Sequence, residues 1–158
     1  METSSSLSPA DVVLDLEAGS KRALLQLLAA EAARRLGRPE AEILKALQDR
    51  EALGSTALGR GVALPHARLA GDEPPLQLFA RLRRPIDYEA RDEEPVDLVI
   101  LVLWPEAAAE GFLPALSDTC RALREPAALR QLRAAASPGE VVGLLHRFGA
   151  AAAGGDDD

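Results

Sequence analysis

The period of the apolar positions changes twice along the chain, from helical to strand-like and back. After a short apolar run at Val12–Leu16, which reads as a first strand, Glu17-Ala18-Gly19 turns the chain and Ser20 is placed as a helix N-cap. From Lys21 onward Leu24, Leu25, Leu27, Leu28, Ala32 and Leu36 recur at helical spacing, and Gly37 supplies the stop. Pro39 opens a second helix in its first turn, where its missing N–H does no harm. Glu40 and Glu42 suit that end of the helix dipole, and Ile43, Leu44 and Leu47 form the buried stripe. This helix is predicted to run to about Leu53 and stop at Gly54. The middle of the chain reads as β. Residues 56–58 and 62–64 are short strand candidates separated by glycines. Leu76, Leu78, Ala80 and Leu82 alternate with Gln77, Phe79, Arg81 and Arg83, which predicts a strand with one largely solvated face. Residues 96–104 are apolar apart from Asp97, as a central strand covered on both faces requires, and Pro105 ends the run. Helical spacing then returns at 113–123, with Pro114 in the first turn, and at 126–135. Ser137-Pro138-Gly139-Glu140 is a capping box that launches Val141, Val142, Leu144, Leu145 and Phe148.

The element order is β-α-α-β-β-β-α-α-α, with a fourth middle strand allowed by the pattern. One mixed β-sheet between helix layers, an α+β three-layer α/β/α sandwich, is the packing that hides every apolar face. Helices and strands do not alternate singly, which argues against a regular doubly wound sheet. Residues 1–9 are polar and Ser-rich and read as a flexible leader. Residues 10–148 form a single domain, and 149–158, Ala/Gly followed by three aspartates, read as a disordered acidic tail.

Composition narrows the function. The chain has 158 residues, enough for one sizeable core, and only 3% aromatics, so Leu, Val, Ile and Ala must build it. A net charge of −7 argues against nucleic-acid binding through a broad basic face. Cys120 is the single cysteine, so no internal disulfide forms, and no Cys/His cluster has zinc spacing. Neither a metal nor another cofactor is expected. No apolar run approaches the roughly 20 residues that span a membrane, and no signal-peptide core opens the chain. A cytoplasmic location without membrane insertion follows as the expectation.

Candidate chemistry concentrates in Gly59-Arg60-Gly61-Val62-Ala63-Leu64-Pro65-His66-Ala67. The chain holds two histidines, and His146 lies far along it beside Arg147, where a surface or helix-end role suffices. His66 follows a stiff proline. There is no Gly-x-Ser-x-Gly elbow for a triad, and too few ligand types for a metal. Two roles stay open: a turn residue, or a nucleophile. Neutral imidazole attacks phosphorus well and gives a labile N–P bond suited to onward transfer. Such transfer asks mainly for alignment and for charge stabilisation on three phosphoryl oxygens. Arg50, Ser55, Thr56 and Arg68 are near in sequence, with flexible glycines at 54, 59 and 61. Other residues take plainer roles. Cys120 reads as a small buried residue and Trp104 as packing. Arg81, Arg83 and Arg84 read as a solvated strand face, and Asp15 and Asp97 as structural partners.

Residues 51–67, with Leu58-Gly59 and Val62-Ala63-Leu64-Pro65-His66-Ala67 in register, resemble an active-site signature. It is that of the second type of enzyme IIA domain in the bacterial phosphoenolpyruvate-dependent phosphotransferase system. This family includes fructose- and mannitol-type IIA domains and the nitrogen-regulatory enzyme IIA. Arg50-Glu51-Ala52-Leu53-Gly54-Ser55-Thr56 is similar to the lead-in R-E-x-x-G-S-T. Arg84-Pro85-Ile86-Asp87-Tyr88 is similar to K-P-I-D-F, and Pro95-Val96-Asp97-Leu98-Val99 with Pro105-Glu106 to the central strand and its exit. The resemblance implies that His66 accepts a phosphoryl group, as a tele-phosphohistidine, from an HPr- or NPr-type phosphocarrier. Arg50, Ser55 and Thr56 match supporting positions near that site. The absence of IIB-like or membrane segments, and the lead-in at Gly54-Ser55-Thr56, point to the nitrogen-regulatory branch, with regulatory proteins as targets. A free-standing fructose- or mannitol-type IIA serving a IIB component, and a binding module never phosphorylated, are the alternatives. One position departs from the pattern. The family commonly places a second histidine after the Pro-Glu exit, and in Glu110-Gly111-Phe112-Leu113-Pro114 that position is Phe112. A phenyl ring cannot hydrogen-bond imidazole or phosphate, so slower or more regulatory phosphorylation is expected than in a two-histidine site.

Overall fold

A ten-residue apolar strand must be covered on both faces, and the fold is arranged to do this. The computed structural model describes residues 7–72 and 74–156, with the side chains of 108–109, 111–113, 115–116, 118–119 and 150–156 excepted. In chain order the elements are β1 (Val12–Leu16), α1 (Lys21–Leu36), α2 (Glu40–Ala52), β2 (Ala57–Gly59), β3 (Val62–Ala63), β4 (His66–Leu69), β5 (Leu76–Ile86), β6 (Val96–Pro105), α3 (Phe112–Leu123), α4 (Pro126–Ala134) and α5 (Pro138–Asp156). Short 3-10 turns lie at Pro9–Asp11 and Glu106–Gly111.

The sheet is mixed, in the order β1-β5-β6-β3-β2, with β4 also paired to β6. β1 runs parallel to β5, β3 and β4 run parallel to β6, and the β5/β6 and β2/β3 pairs are antiparallel. Side-chain alternation on β6 feeds two cores. Val99, Leu101 and Leu103 join the cluster under α1 and α2, while Leu98, Ile100, Val102 and Trp104 join the cluster under α4 and α5. The expected sandwich of helix, sheet and helix layers is therefore the observed one. Asp15 has a φ of 59°, and the register shifts beside it. Leu14 consequently serves one core and Leu16 the other.

Ser20 caps α1 by accepting from the Ala23 N–H at 3.1 Å, and Gly37 ends it at φ 68°. Pro39 stands one place earlier than predicted, as the N-cap of α2. Four features differ from the sequence pattern more substantially. Five strands, not three or four, lie between α2 and α3; the addition is β4, too short and too close to Pro65 to show a period. The second face of β5 is solvated only in part: Arg83 and Arg84 are exposed as expected, but Phe79 and Arg81 are covered. Phe79 is fully buried in the α4–α5 core, and the Arg81 guanidinium donates to the carbonyl oxygens of Leu132 (3.1 Å), Arg133 (3.3 Å) and Ala135 (2.8 Å), closing the end of α4. Within the leader expected at 1–9, Leu7 is buried and Ser8 caps the first 3-10 turn, its N–H 2.9 Å from Oδ2 of Asp11; residues 1–6 lie outside the described residues. The tail expected to be disordered from 149 continues α5 to Asp156, since alanine is the strongest helix former and residues 150–153 are all alanine. Residues 157–158 lie outside the described residues.

Candidate functional site

β3 and β4 are two halves of one strand. Val62 pairs with Leu98, Ala63 with Val99, His66 with Val102 and Ala67 with Leu103, the same offset throughout. Pro65 interrupts the ladder because it has no N–H to donate, yet its carbonyl still accepts from the Val102 N–H at 3.0 Å. On the outer side, the last bond to the neighbouring segment runs from the Leu64 N–H to the Thr56 carbonyl at 3.0 Å. Beyond it, among the described residues, β4 is paired with β6 alone, so His66 begins an edge segment of the sheet.

The imidazole of His66 is partly buried, and its Nδ1 lies 2.8 Å from the Leu64 carbonyl oxygen. A carbonyl can only accept, so Nδ1 carries the proton and Nε2 carries the lone pair. Arg50 agrees with that assignment, since its Nε–H donates to Nε2 at 3.3 Å. The same guanidinium donates from Nη1 to the Gly54 carbonyl at 3.0 Å, which ties the last turn of α2 to the loop after it. Burial holds the pKa of His66 below its ordinary value. The bond to Leu64 opposes this, the Arg50 charge reinforces it, and the Glu51 charge opposes it. The ring is thus neutral and basic at one defined nitrogen.

Of the predicted supporting residues, Arg50 alone reaches the imidazole in this geometry. The Ser55 hydroxyl donates to the Tyr88 carbonyl at 3.3 Å and accepts from the Ala57 N–H at 3.2 Å. Thr56 is buried, and its N–H donates to Oε1 of Glu51 at 3.2 Å while its hydroxyl bonds Oε2. Tyr88 donates its hydroxyl to Glu51 Oε2 at 2.9 Å, and Lys21 pairs with Oε1 at 3.0 Å. Burial, and next the Glu51 charge, push the Tyr88 hydroxyl far above its ordinary pKa, so it remains a donor. Lys21, Glu51 and Tyr88 were not singled out as site residues from sequence. Glu51 and Tyr88 had as their signal membership of the R-E-x-x-G-S-T and K-P-I-D-F-like segments, and Lys21 stood only as the start of the first helix.

Arg68 is exposed on β4, and Leu53 and Leu58 are exposed apolar residues on the flanking segments. Phe112 begins α3; its side chain lies outside the described residues. His146 is exposed on α5. Cys120 is partly buried against the α4–α5 core, and burial raises its thiol pKa. Trp104 is buried in that core. Asp97 pairs with Arg133 at 3.0 Å, and Asp15 with Arg81 at 3.6 Å. Among the described residues no three His, Cys, Asp or Glu side chains gather to hold a metal, and no helix is long and apolar enough to cross a membrane.

Residues 5–147 match the family described as "Phosphoenolpyruvate-dependent sugar phosphotransferase system, EIIA 2". A nitrogen regulatory protein of Bradyrhizobium diazoefficiens is 42% identical over 139 residues, covering 88% of this chain and 91% of that one. The crystal structure of nitrogen regulatory protein IIA-Ntr from Neisseria meningitidis superposes with a TM-score of 0.85 at 34% identity, over 90% of this chain and 97% of that one. The mannitol enzyme IIA of Escherichia coli, in its complex with phosphorylated enzyme IIB, shares the fold, with a TM-score of 0.74 at 18% identity over 89% and 97% of the two chains.

Proposed function

Because the chain belongs to the phosphotransferase-system EIIA 2 family, we propose that it is a phosphocarrier of the nitrogen-regulatory kind. In this role it accepts a phosphoryl group on Nε2 of His66 from phosphohistidine on an HPr- or NPr-type carrier, in the cytoplasm where such carriers act. Its phosphorylation state then governs binding to regulatory proteins. One observation carries the chemistry: the Leu64 carbonyl fixes the proton on Nδ1 and leaves Nε2 as the basic nitrogen, beside Arg50.

The step balances simply. The Nε2 lone pair forms a bond to phosphorus as the bond from phosphorus to the donor's ring nitrogen breaks, and that electron pair leaves with the donor imidazole. The proton stays on Nδ1, hydrogen-bonded to the Leu64 carbonyl oxygen, which stabilises the positive charge the ring acquires. Arg50 passes its hydrogen bond from Nε2 to the incoming oxygens and offsets their charge. No metal or added cofactor enters this step. The product carries about two additional negative charges at its phosphoryl oxygens, enough to make or break an interface. The exposed Leu53 and Leu58 beside the site give such an interface apolar area.

The test is incubation with enzyme I, a carrier and labelled phosphoenolpyruvate. Acid-labile label is expected on the wild type and absent from His66→Ala. Wild type without label, or His66→Ala that keeps it, overturns the proposal. Adding a IIB protein separates the transport alternative, since discharge of the label onto IIB would assign the chain to sugar uptake instead.

A further inference from the structure

Glu51 follows Arg50 in the last turn of α2, and its side chain is only 7% exposed. Donors from three other segments surround its carboxylate. Lys21 comes from the first turn of α1, Thr56 from the entry to β2, and Tyr88 from the segment after β5. Lys21 also lies 4.6 Å over the Tyr88 ring and 3.5 Å from Oε1 of Glu89, and the Thr56 and Tyr88 hydroxyls are 3.1 Å apart. Apart from the Arg50 bonds to His66 and Gly54, the helix end has weak cover. Leu53, its C-cap, is 84% exposed, and the bonds from the Leu53 and Gly54 N–H groups return to carbonyls of the same turn.

A buried ion pair is a poor way merely to hold two elements together, because well-packed apolar residues do so as well or better. What the pair adds is direction: four donors fix both oxygens of one carboxylate, and so fix the rotation of the helix turn that carries Arg50. We propose that Glu51 is the positioning residue of this site, held by Lys21, Thr56 and Tyr88 so that Arg50 meets Nε2 of His66. Tyr88 adds the one hydroxyl from the segment after β5, donating to Oε2 of Glu51 at 2.9 Å. The inference rests on the phosphoacceptor role of His66 for its catalytic consequence, but its geometry can be tested without transfer.

Glu51→Gln keeps the shape and removes the charge, and Tyr88→Phe removes a single hydroxyl with the ring left in place. Single-turnover transfer at saturating donor is expected to fall about tenfold or more in Glu51→Gln, the loss for one charge-assisted contact. The donor concentration at half-saturation should hardly change, and Tyr88→Phe should fall less and in the same direction. In an Arg50→Ala background, Glu51→Gln should slow transfer no further, because its effect passes through Arg50. A full additional loss in that background, or a folded Glu51→Gln that transfers at the wild-type rate, overturns the proposal. If Glu51→Gln does not fold, the same comparison in Tyr88→Phe decides. The Arg50 Nε–H resonance of the unphosphorylated protein is the independent readout. It should move in both variants, and an unmoved resonance refutes the positioning role even where the wild type takes up no label.

Discussion

Arg50 occupies the lone pair of His66 in the resting protein, so it must release that nitrogen before phosphorus can be attacked. Two opposite outcomes of its removal follow. If the guanidinium merely covered Nε2, Arg50→Ala would speed transfer. If it stabilises the moving phosphoryl group, Arg50→Ala should slow single-turnover transfer by about 10- to 100-fold. We expect the slower outcome, with Arg50→Lys in between because lysine keeps the charge without the planar fork. The depressed pKa of His66 gives a second expectation. A nucleophile that resists protonation keeps its rate as pH falls through the imidazole's usual value of about 6.5, and loses it only below that. The same group makes stability fall on acidification. Between the usual pKa and the lower folded one the unfolded chain binds more protons, so His66 contributes a loss of stability that starts near the unfolded value as pH decreases. A rate profile and urea denaturation across pH 5–8, each compared with His66→Ala or wild type as control, check both. At this scale His66 and Arg50 were legible in the sequence as motif positions. Ser55 and Thr56 were legible as neighbours, but their hydroxyls turn to Tyr88 and Glu51. The tautomer was not legible, because it depends on where the Leu64 carbonyl points. Nor was the Tyr88–Glu51 bond, which joins residues 37 apart.

The β2/β3 hairpin explains why glycine stands at 61. Arg60 and Gly61, the two turn residues, have φ values of 59° and 83°, as a tight hairpin with right-handed strand twist demands. A Cβ on Gly61 would also sit 2.6 Å from Nη2 of Arg133 and 3.2 Å from the Pro95 carbonyl oxygen. Arg133 has little freedom to retreat, since it donates to both oxygens of Asp97 and, at 2.6 Å, to the Arg60 carbonyl. Gly61→Ala is expected to cost about 1–3 kcal/mol in chemical denaturation. The glycines around the motif were visible as flexible points, whereas the structure uses this one for a fixed turn. The elements with strong periods, α1, α2 and β6, emerged from the sequence nearly intact. β4 and the covered face of β5 did not. Four residues after a proline carry no period, and an arginine on a strand looks solvated until a helix end is brought to it.

Two apolar clusters separated by one sheet make up the molecule, and α5 contributes Val141 and Leu144 to one of them. Among the described side chains, Phe148 is the last of α5 packed against that cluster. Ending the chain after Phe148 is therefore expected to change unfolding free energy by less than about 1 kcal/mol, with the phosphorylation rate unaltered. A larger loss in thermal or urea unfolding would extend the domain beyond the 10–148 boundary read from sequence. The layered architecture was legible because both faces of β6 had to be covered, while the placement of its parallel neighbour depended on pairing no local pattern encodes. That neighbour has a mechanical consequence. The imidazole is carried on a strand laid beside the central β6, in one register from β3 through β4. A carrier of the kind proposed would meet a ring positioned by the sheet, with Arg50 the side chain that has to shift. The proton placement needs both the three residues and the strand that aims the Leu64 carbonyl, so Leu64-Pro65-His66 grafted onto another parallel edge with that backbone direction should carry the tautomer with them.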